Sequence, residues 1–277
     1  MLDDEPESTF SRLRGSGSPS RSVEQCIPLA YDTETMACYV IGDIHGCCDE
    51  LACLIEHLPM AESDRIVFLG DYVDRGPDSN GVISYLLDLA GQTSNELVFL
   101  KGNHEDMFLA YLGLPGQYGD MFLYNGGGAT LASYGITNHP ASGDTVLPQL
   151  PPAHVEFLRK LRPYYLADRV LCVHAGVHPL KTLEEQTETE TLWIRNEFIY
   201  NRHRLPYTVI FGHTPQREIL FDLPYKIGID TGLVYGNKLS CIDVQEKTVF
   251  QIERKSRKVK RSLIKQKWDP PSLSPTA

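Results

Sequence analysis

Tyr39-Val40-Ile41-Gly42-Asp43-Ile44-His45-Gly46 is a short apolar, β-branched run that breaks at a glycine and delivers an aspartate and a histidine. Two further stretches repeat the pattern: Ile66-Val67-Phe68-Leu69-Gly70-Asp71-Tyr72-Val73-Asp74-Arg75-Gly76 and Leu97-Val98-Phe99-Leu100-Lys101-Gly102-Asn103-His104-Glu105. Apolar runs of this length, bounded by glycine, read as strands, and a helix-like stretch follows each one. Asp43, Asp71 and Asn103 recur at intervals of about 30 residues, the repeat of a βαβ unit. Parallel strands connected that way bring all three loops to one sheet edge, where open α/β sheets bind ligands.

Working outward, strands are predicted over 37–42, 65–70 and 96–101, and helices over 48–58, 79–90 and 104–112. Two later apolar runs end in the same manner, Val170-Leu171-Cys172-Val173-His174 and Thr208-Val209-Ile210-Phe211-Gly212-His213. β-like segments over 225–234 and 238–252 flank Gly236-Asn237, which reads as a hairpin turn. This order suits two facing sheets with helices outside better than one doubly wound sheet. Residues 113–150, rich in Gly, Pro and Asn, are expected to cover the site. The expected division is a flexible Ser/Gly/Pro-rich tail over 1–36, a catalytic domain over 37–252 and a basic tail over 253–277.

With 277 residues, 42% of them hydrophobic, the chain can bury a full core. Its net charge of -10 argues against a general nucleic-acid binder, since phosphate backbones favour basic surfaces. The exception is the C-terminal stretch holding Arg254, Lys255, Arg257, Lys258, Lys260, Arg261, Lys265 and Lys267, either a solvated tail or a tether to an anionic partner. Seven cysteines form an odd set without CxxC spacing and read as reduced, packed thiols. Cys47-Cys48 at a helix start is the one pair with an oxidation-sensitive alternative. No apolar stretch approaches a membrane span, and the acidic Met1-Leu2-Asp3-Asp4-Glu5 is unlike a signal peptide. A cytoplasmic monomer is expected.

The strand-end residues have the chemistry of a metal site. Asp43 and His45, two apart on extended chain, point to one side and can share an ion. Asp71 can bridge to a second ion through its two oxygens, with Asn103, His174 and His213 completing that shell. Mixed carboxylate, amide and imidazole donors suit Mn, Fe or Zn, with Mn expected, rather than Ca. Two ions about 3.5–4 Å apart would hold a bridging hydroxide as nucleophile toward phosphorus. His104 is the candidate general acid, with Asp74 holding its ring. Arg75 and Arg195 are candidate phosphate-binding forks, and Asn103 and His174 face the same phosphate. Several have a plainer reading: a helix cap or turn for Asp43 and Asp71, a turn for Asn103, a core imidazole for His174 and His213, a salt bridge from Asp74 to Arg75 or Lys101, a solvated helix face for Arg195. His57, His139, His154, His178 and His203 lack strand-end context and are assigned no role.

The motifs GDIHG, GDYVDRG, GNHE, VHAG and GHT resemble the metal-dependent phosphoprotein phosphatase family of the calcineurin-like superfamily, over about 37–250. Tyr124-Asn125-Gly126-Gly127, Leu192-Trp193-Ile194-Arg195 and Ile229-Asp230-Thr231-Gly232-Leu233-Val234-Tyr235-Gly236 look like its bacterial-type serine/threonine phosphatases. The resemblance implies a four-layer αββα sandwich of two mixed β-sheets, two Mn- or Fe-type ions, and hydrolysis of phosphomonoesters on protein Ser, Thr and sometimes Tyr. It implies that Asp43, His45, Asp71, Asn103, His174 and His213 bind metal, and that Arg75, His104 and Arg195 handle phosphate. Symmetrical dinucleoside tetraphosphate hydrolases are also similar, but usually show Ala where Asp74 stands and GNHD where Glu105 stands. A non-catalytic scaffold is the third reading, against which stands the intact ligand set.

Overall fold

The computed structural model describes residues 36–264 except 139, 141, 142 and 168. The expected tail over 1–36 lies almost wholly outside the described residues, as do Lys265 and Lys267. In chain order the elements are β1 (Cys38–Ile41), α1 (Cys48–Glu56), β2 (Arg65–Phe68), α2 (Ser79–Gln92), β3 (Glu96–Phe99), α3 (Asn103–Tyr111), α4 (Gly127–Ser133), α5 (Pro152–Arg159), β4 (Tyr164–Ala167), β5 (Val170–Val173), α6 (Glu188–Trp193), α7 (Asn196–Ile199), β6 (Thr208–Phe211), β7 (Leu220–Asp222), β8 (Lys226–Gly228), β9 (Lys238–Asp243), β10 (Thr248–Glu253) and β11 (Val259–Leu263).

They form a six-stranded sheet, β11-β10-β9-β1-β2-β3, and a five-stranded sheet, β4-β5-β6-β8-β7. β1, β2 and β3 pair in parallel and form one half of the six-stranded sheet, with antiparallel β9, β10 and β11 beyond β1, whereas β5, β6 and β8 are the parallel centre of the five-stranded sheet between antiparallel β4 and β7. The period of two along the strands sorts side chains into layers. Val40 and Val67 join Cys172 and Ile210 in an apolar layer between the sheets. Tyr39, Ile41, Ile66 and Phe68 face the other way and pack with Leu51, Leu54, Val82 and Ile83 of α1 and α2. Leu171, Val173, Val209 and Phe211 pack with Phe198 of α7 on the far side. The result is the four-layer αββα sandwich. Helix α2 shows why the pattern was readable: Ser79, Val82, Ile83 and Leu86 form one buried stripe, and the Asp78 side chain caps its start by accepting from the Gly81 N–H at 2.8 Å.

Two expectations are corrected. Gly236-Asn237 does not turn a hairpin: β8 belongs to the five-stranded sheet and β9 to the six-stranded one, so the chain crosses between sheets there. A short 3₁₀ turn, Leu233–Tyr235, makes the crossing, with Gly232 and Gly236 at φ 69° and 93° on either side. The hairpin is instead β9–β10. Nor does the fold end at 252, since β11 pairs antiparallel with β10 from Val259 opposite Ile252 to Leu263 opposite Thr248. Val259 is the one residue of β11 that is not exposed, and the cations around it hid the strand. Several of those cations have local partners: Arg254 binds Glu50, Lys260 binds Glu253 at 2.5 Å, and Arg261 lies over the Phe250 ring.

Candidate active site

The parallel strands deliver Asp43, Asp71, Asn103, His174 and His213 just beyond their carboxyl ends, and the two sheets meet there through side-chain and backbone contacts. His174 Nδ1 lies 2.9 Å from the Leu69 carbonyl, and the His213 backbone N–H donates to the Asp43 carboxylate at 3.0 Å. All five residues are buried. Glycines permit the approach: a Cβ on Gly102 would fall 2.2 Å from Asp71 Oδ1, and one on Gly212 would fall 2.0 Å from Asp43 Oδ1.

Asp71 sits at the centre. Its Oδ2 lies 3.4 Å from His45 Nε2 and its Oδ1 lies 3.3 Å from His174 Nε2, so its two oxygens face two separate groups of ligand atoms. One group is His45, Asp71 and His104, the other Asp71, His174 and His213. Asn103 Oδ1 joins the second, 3.0 Å from His174 Nε2 and 2.8 Å from His213 Nδ1. Asp43 falls outside both tight groups and is held by the His213 backbone and by Asp230. The extended geometry expected for Asp43 and His45 is also revised: His45 has φ 46°, in the left-handed region, and its Nδ1 is fixed 2.8 Å from the Val73 carbonyl.

Electrostatics suit this set to cations. Burial lowers the pKa of His45 to about 3, and it also lowers those of His174 and His213, so near neutral pH all three imidazoles are uncharged and keep a lone pair to offer a metal ion. Burial would raise Asp71, but at the acid pH where it would take up a proton His174, His104 and His45 are themselves protonated, and their charges hold the carboxyl well below its usual range. Burial and then the charges of Asp230 and Asp71 push Asp43 up, while burial takes Asp230 up to about 6. Three buried carboxyls thus compete for too little positive charge. His213 Nε2 is buried without a hydrogen-bond partner. His174 Nδ1 bonds the Leu69 carbonyl, so its Nε2 carries a lone pair that faces the oxygens of Asp71 and Asn103, and acceptors turned on one another in this way fit divalent ions, which these residues would hold.

His104 Nδ1 lies 2.6 Å from Asp74 Oδ2, both fully buried, and Asp74 Oδ1 accepts from the Thr130 hydroxyl at 2.6 Å. The plainer reading of Asp74 does not hold, since Lys101 pairs with Asp106 and Glu188. Burial lowers the pKa of His104, but Asp71 and Asp74 together more than reverse it. Arg75 places Nη1 2.8 Å from His45 Nε2, and its face lies 5.6 Å from the centre of the Tyr235 ring. Arg195 is exposed and precedes α7, and its charge reaches His174 and His213, lowering both. Five non-glycine residues of these loops, His45, Asp71, Asp74, Arg75 and His213, have φ between 46° and 71°. Such conformations cost roughly 1–3 kcal/mol each and concentrate where side-chain aim matters more than backbone comfort.

A family model for calcineurin-like phosphoesterases matches residues 36–242. The chain is a calcineurin-like phosphoesterase. It is 27% identical over 240 residues to the asymmetrical bis(5'-nucleosyl)-tetraphosphatase PrpE of Oceanobacillus iheyensis, covering 77% of this chain and 90% of that one. It is 29% identical over 215 residues to serine/threonine-protein phosphatase 1 of Salmonella typhimurium, covering 75% and 91%. A crystal structure assigned provisionally as a diadenosine tetraphosphatase superposes with a TM-score of 0.61 at 25% identity, over 80% of this chain and 95% of that one.

Sequence reasoning missed three supports of this phosphoesterase's site. Thr130, in the covering segment, fixes Asp74 by its hydroxyl and accepts the Asp74 N–H at 2.8 Å. Asp230, noted only within a motif, backs Asp43. Glu105, noted only as part of a motif, carries the loop of Asp71: Oε2 accepts from the N–H groups of Asp71 and Gly102, both at 2.9 Å, and Oε1 from Tyr72 at 2.8 Å and Val73 at 3.1 Å. Whichever way an amide turned in Glu105→Gln, its NH₂ would face two backbone donors. That variant is expected to lose stability by several times the roughly 1–3 kcal/mol of one unsatisfied buried group, with weaker metal retention. A thermal melt and metal analysis check it; an unchanged melting temperature would count against the carboxylate as the loop's anchor. The oxidation alternative at Cys47-Cys48 is not supported, because burial pushes the thiols up to about 12 and about 11.

Among the described residues no helix is long and apolar enough to cross a membrane.

Proposed function

We propose that this phosphoesterase is a phosphoprotein phosphatase that hydrolyses phosphomonoesters on Ser or Thr, and on Tyr in some substrates. The observation that carries the reading is the Asp74–His104 pair, at 2.6 Å and shut off from solvent. An alkoxide leaving from phosphoserine is strongly basic and needs a proton as it departs, whereas a nucleotide leaves already stable as an anion. A fixed imidazole with Nδ1 held by Asp74 presents Nε2 to donate that proton. The similarity to serine/threonine-protein phosphatase 1 supports the same reading.

Asp43, His45, Asp71, Asn103, His174 and His213 are the proposed holders of two divalent ions, with Mn the first choice. Bound there, the ions would supply Lewis acidity and a water that ionises near neutral pH. The protein's own part is to position and neutralise. Arg75 can turn its fork to the phosphoryl oxygens while Tyr235 covers its face, and Arg195, at the site's exposed side, can take the remaining oxygens. Asn103 and His174 face the same phosphoryl group. Asp74, fixed by Thr130 and Ser79, prevents the His104 ring from turning.

The second reading is a dinucleoside tetraphosphate hydrolase of the asymmetrical rather than the symmetrical kind, following the PrpE relative that spans most of the chain. Assaying Mn-loaded protein on phosphoserine peptides and on diadenosine tetraphosphate separates the two. A higher kcat/KM is expected on the peptides, and the reverse order would promote the nucleotide reading.

A further inference from the structure

Lys226, the first residue of β8, is fully buried. An ammonium is expensive to bury, and an apolar side chain of the same length would avoid the cost. Its Nζ donates to the Phe198 carbonyl and to the Asn201 carbonyl, each at 2.5 Å, and lies 4.8 Å from the centre of the Phe198 ring. The nearest carboxylate, Asp222, stands off at 3.8 Å and lies near Arg202 as well. Lys226 therefore spends its charge on carbonyls at the end of α7.

Helix α7 has four residues, Asn196–Ile199, far too few to be stable alone. Arg195 is its N-cap, with φ -132° and ψ -101°, and the Arg195 carbonyl accepts from the N–H groups of Phe198 at 3.0 Å and Ile199 at 2.9 Å. Whatever holds the end of this single turn also holds the backbone of Arg195. Phe198 supplies packing, fully buried edge-on to Phe211 of β6. Lys226 supplies the polar tie, closing carbonyls that lack partners at a helix end. Strand β8 pairs with β6, the strand that runs into His213, so the tie links the arginine turn to the strand that delivers a ligand.

We infer that Lys226 is a positioning residue: by binding the Phe198 and Asn201 carbonyls it fixes α7 and so aims Arg195 at the substrate's phosphoryl group. This rests on the reading of Arg195 as a phosphate-binding residue. The test is a double-mutant cycle on the full, Mn-loaded chain with a small aryl phosphate as probe. Metal content and melting temperature are recorded for each variant.

Lys226→Met should raise KM about 10-fold, the scale of a misplaced binding group, with a smaller change in kcat and both ions retained. Lys226→Gln, keeping one donor of shorter reach, should fall between it and the parent, and it carries the test if the methionine variant folds poorly. In an Arg195→Ala background, Lys226→Met should change KM less than twofold beyond the single variant, roughly the coupling expected of residues acting as one unit. A general structural role would instead add its full penalty in both backgrounds, and that outcome overturns the inference. So does an unchanged KM in both Lys226 variants while Arg195→Ala is impaired, which leaves the arginine's role standing. An unimpaired Arg195→Ala overturns both.

Discussion

Asp71→Asn is expected to lose roughly 10³-fold or more in turnover together with its complement of divalent ions, because the site's charge stabilisation is worth several kcal/mol. The geometry explains the size. Asp71 Oδ2 faces His45 and Oδ1 faces His174, so one carboxylate serves both proposed ion positions. An amide would remove the charge and turn an NH₂ toward one group. The fold should persist, since Asn has the same shape, tolerates the φ of 53° at this position, and leaves the backbone N–H bound to Glu105. Elemental analysis, turnover and a thermal melt on the same preparation check this. Two bound ions with near-normal turnover would remove Asp71 from the centre of the mechanism.

His104→Asn should lose turnover by about 10²–10⁴-fold, the range for a general acid, with metal content nearly intact. The loss should depend on the leaving group: large on phosphoserine, whose alkoxide needs the proton, and smaller on an aryl phosphate. The expectation rests on the Asp74–His104 contact, which occupies Nδ1 and leaves the second ring nitrogen for substrate. Equal losses on the two substrates would mean that His104 only shapes the site.

Much of this architecture was legible along the chain because the physics involved is local. Apolar runs such as Ile66-Val67-Phe68 alternate faces by strand geometry alone, and the stripe of α2 follows from helical spacing. Glycines before Asp43, Asp71, Asn103 and His213 mark where a chain must pass close to a carboxylate or turn sharply. The hairpin misplaced at Gly236-Asn237 shows the limit. Two glycines permit a tight turn, but whether the chain returns to the same sheet or crosses to the other depends on which strand has a free edge. Charge likewise hid β11, since a strand at a sheet edge keeps its cations in water and is held by backbone pairing to its one neighbour rather than by buried apolar side chains.

The sequence by itself determined the layered α/β class, the order of the strands' chemistry and the types of side chain brought to their ends, because those depend on periodicity and on residue identity. Only the tertiary structure decided the grouping of His104 rather than Asp43 with His45 and Asp71, the locking of Asp74 by Thr130, the four donors gathered by Glu105 and the tie from Lys226 to the arginine turn. Apart from the Gly102 N–H, which Glu105 reaches as a local helix cap, each joins residues tens of positions apart through an oxygen or nitrogen whose partner no local pattern names. Burial then multiplies the energy of those contacts, since a polar group without water must find its partner in the fold.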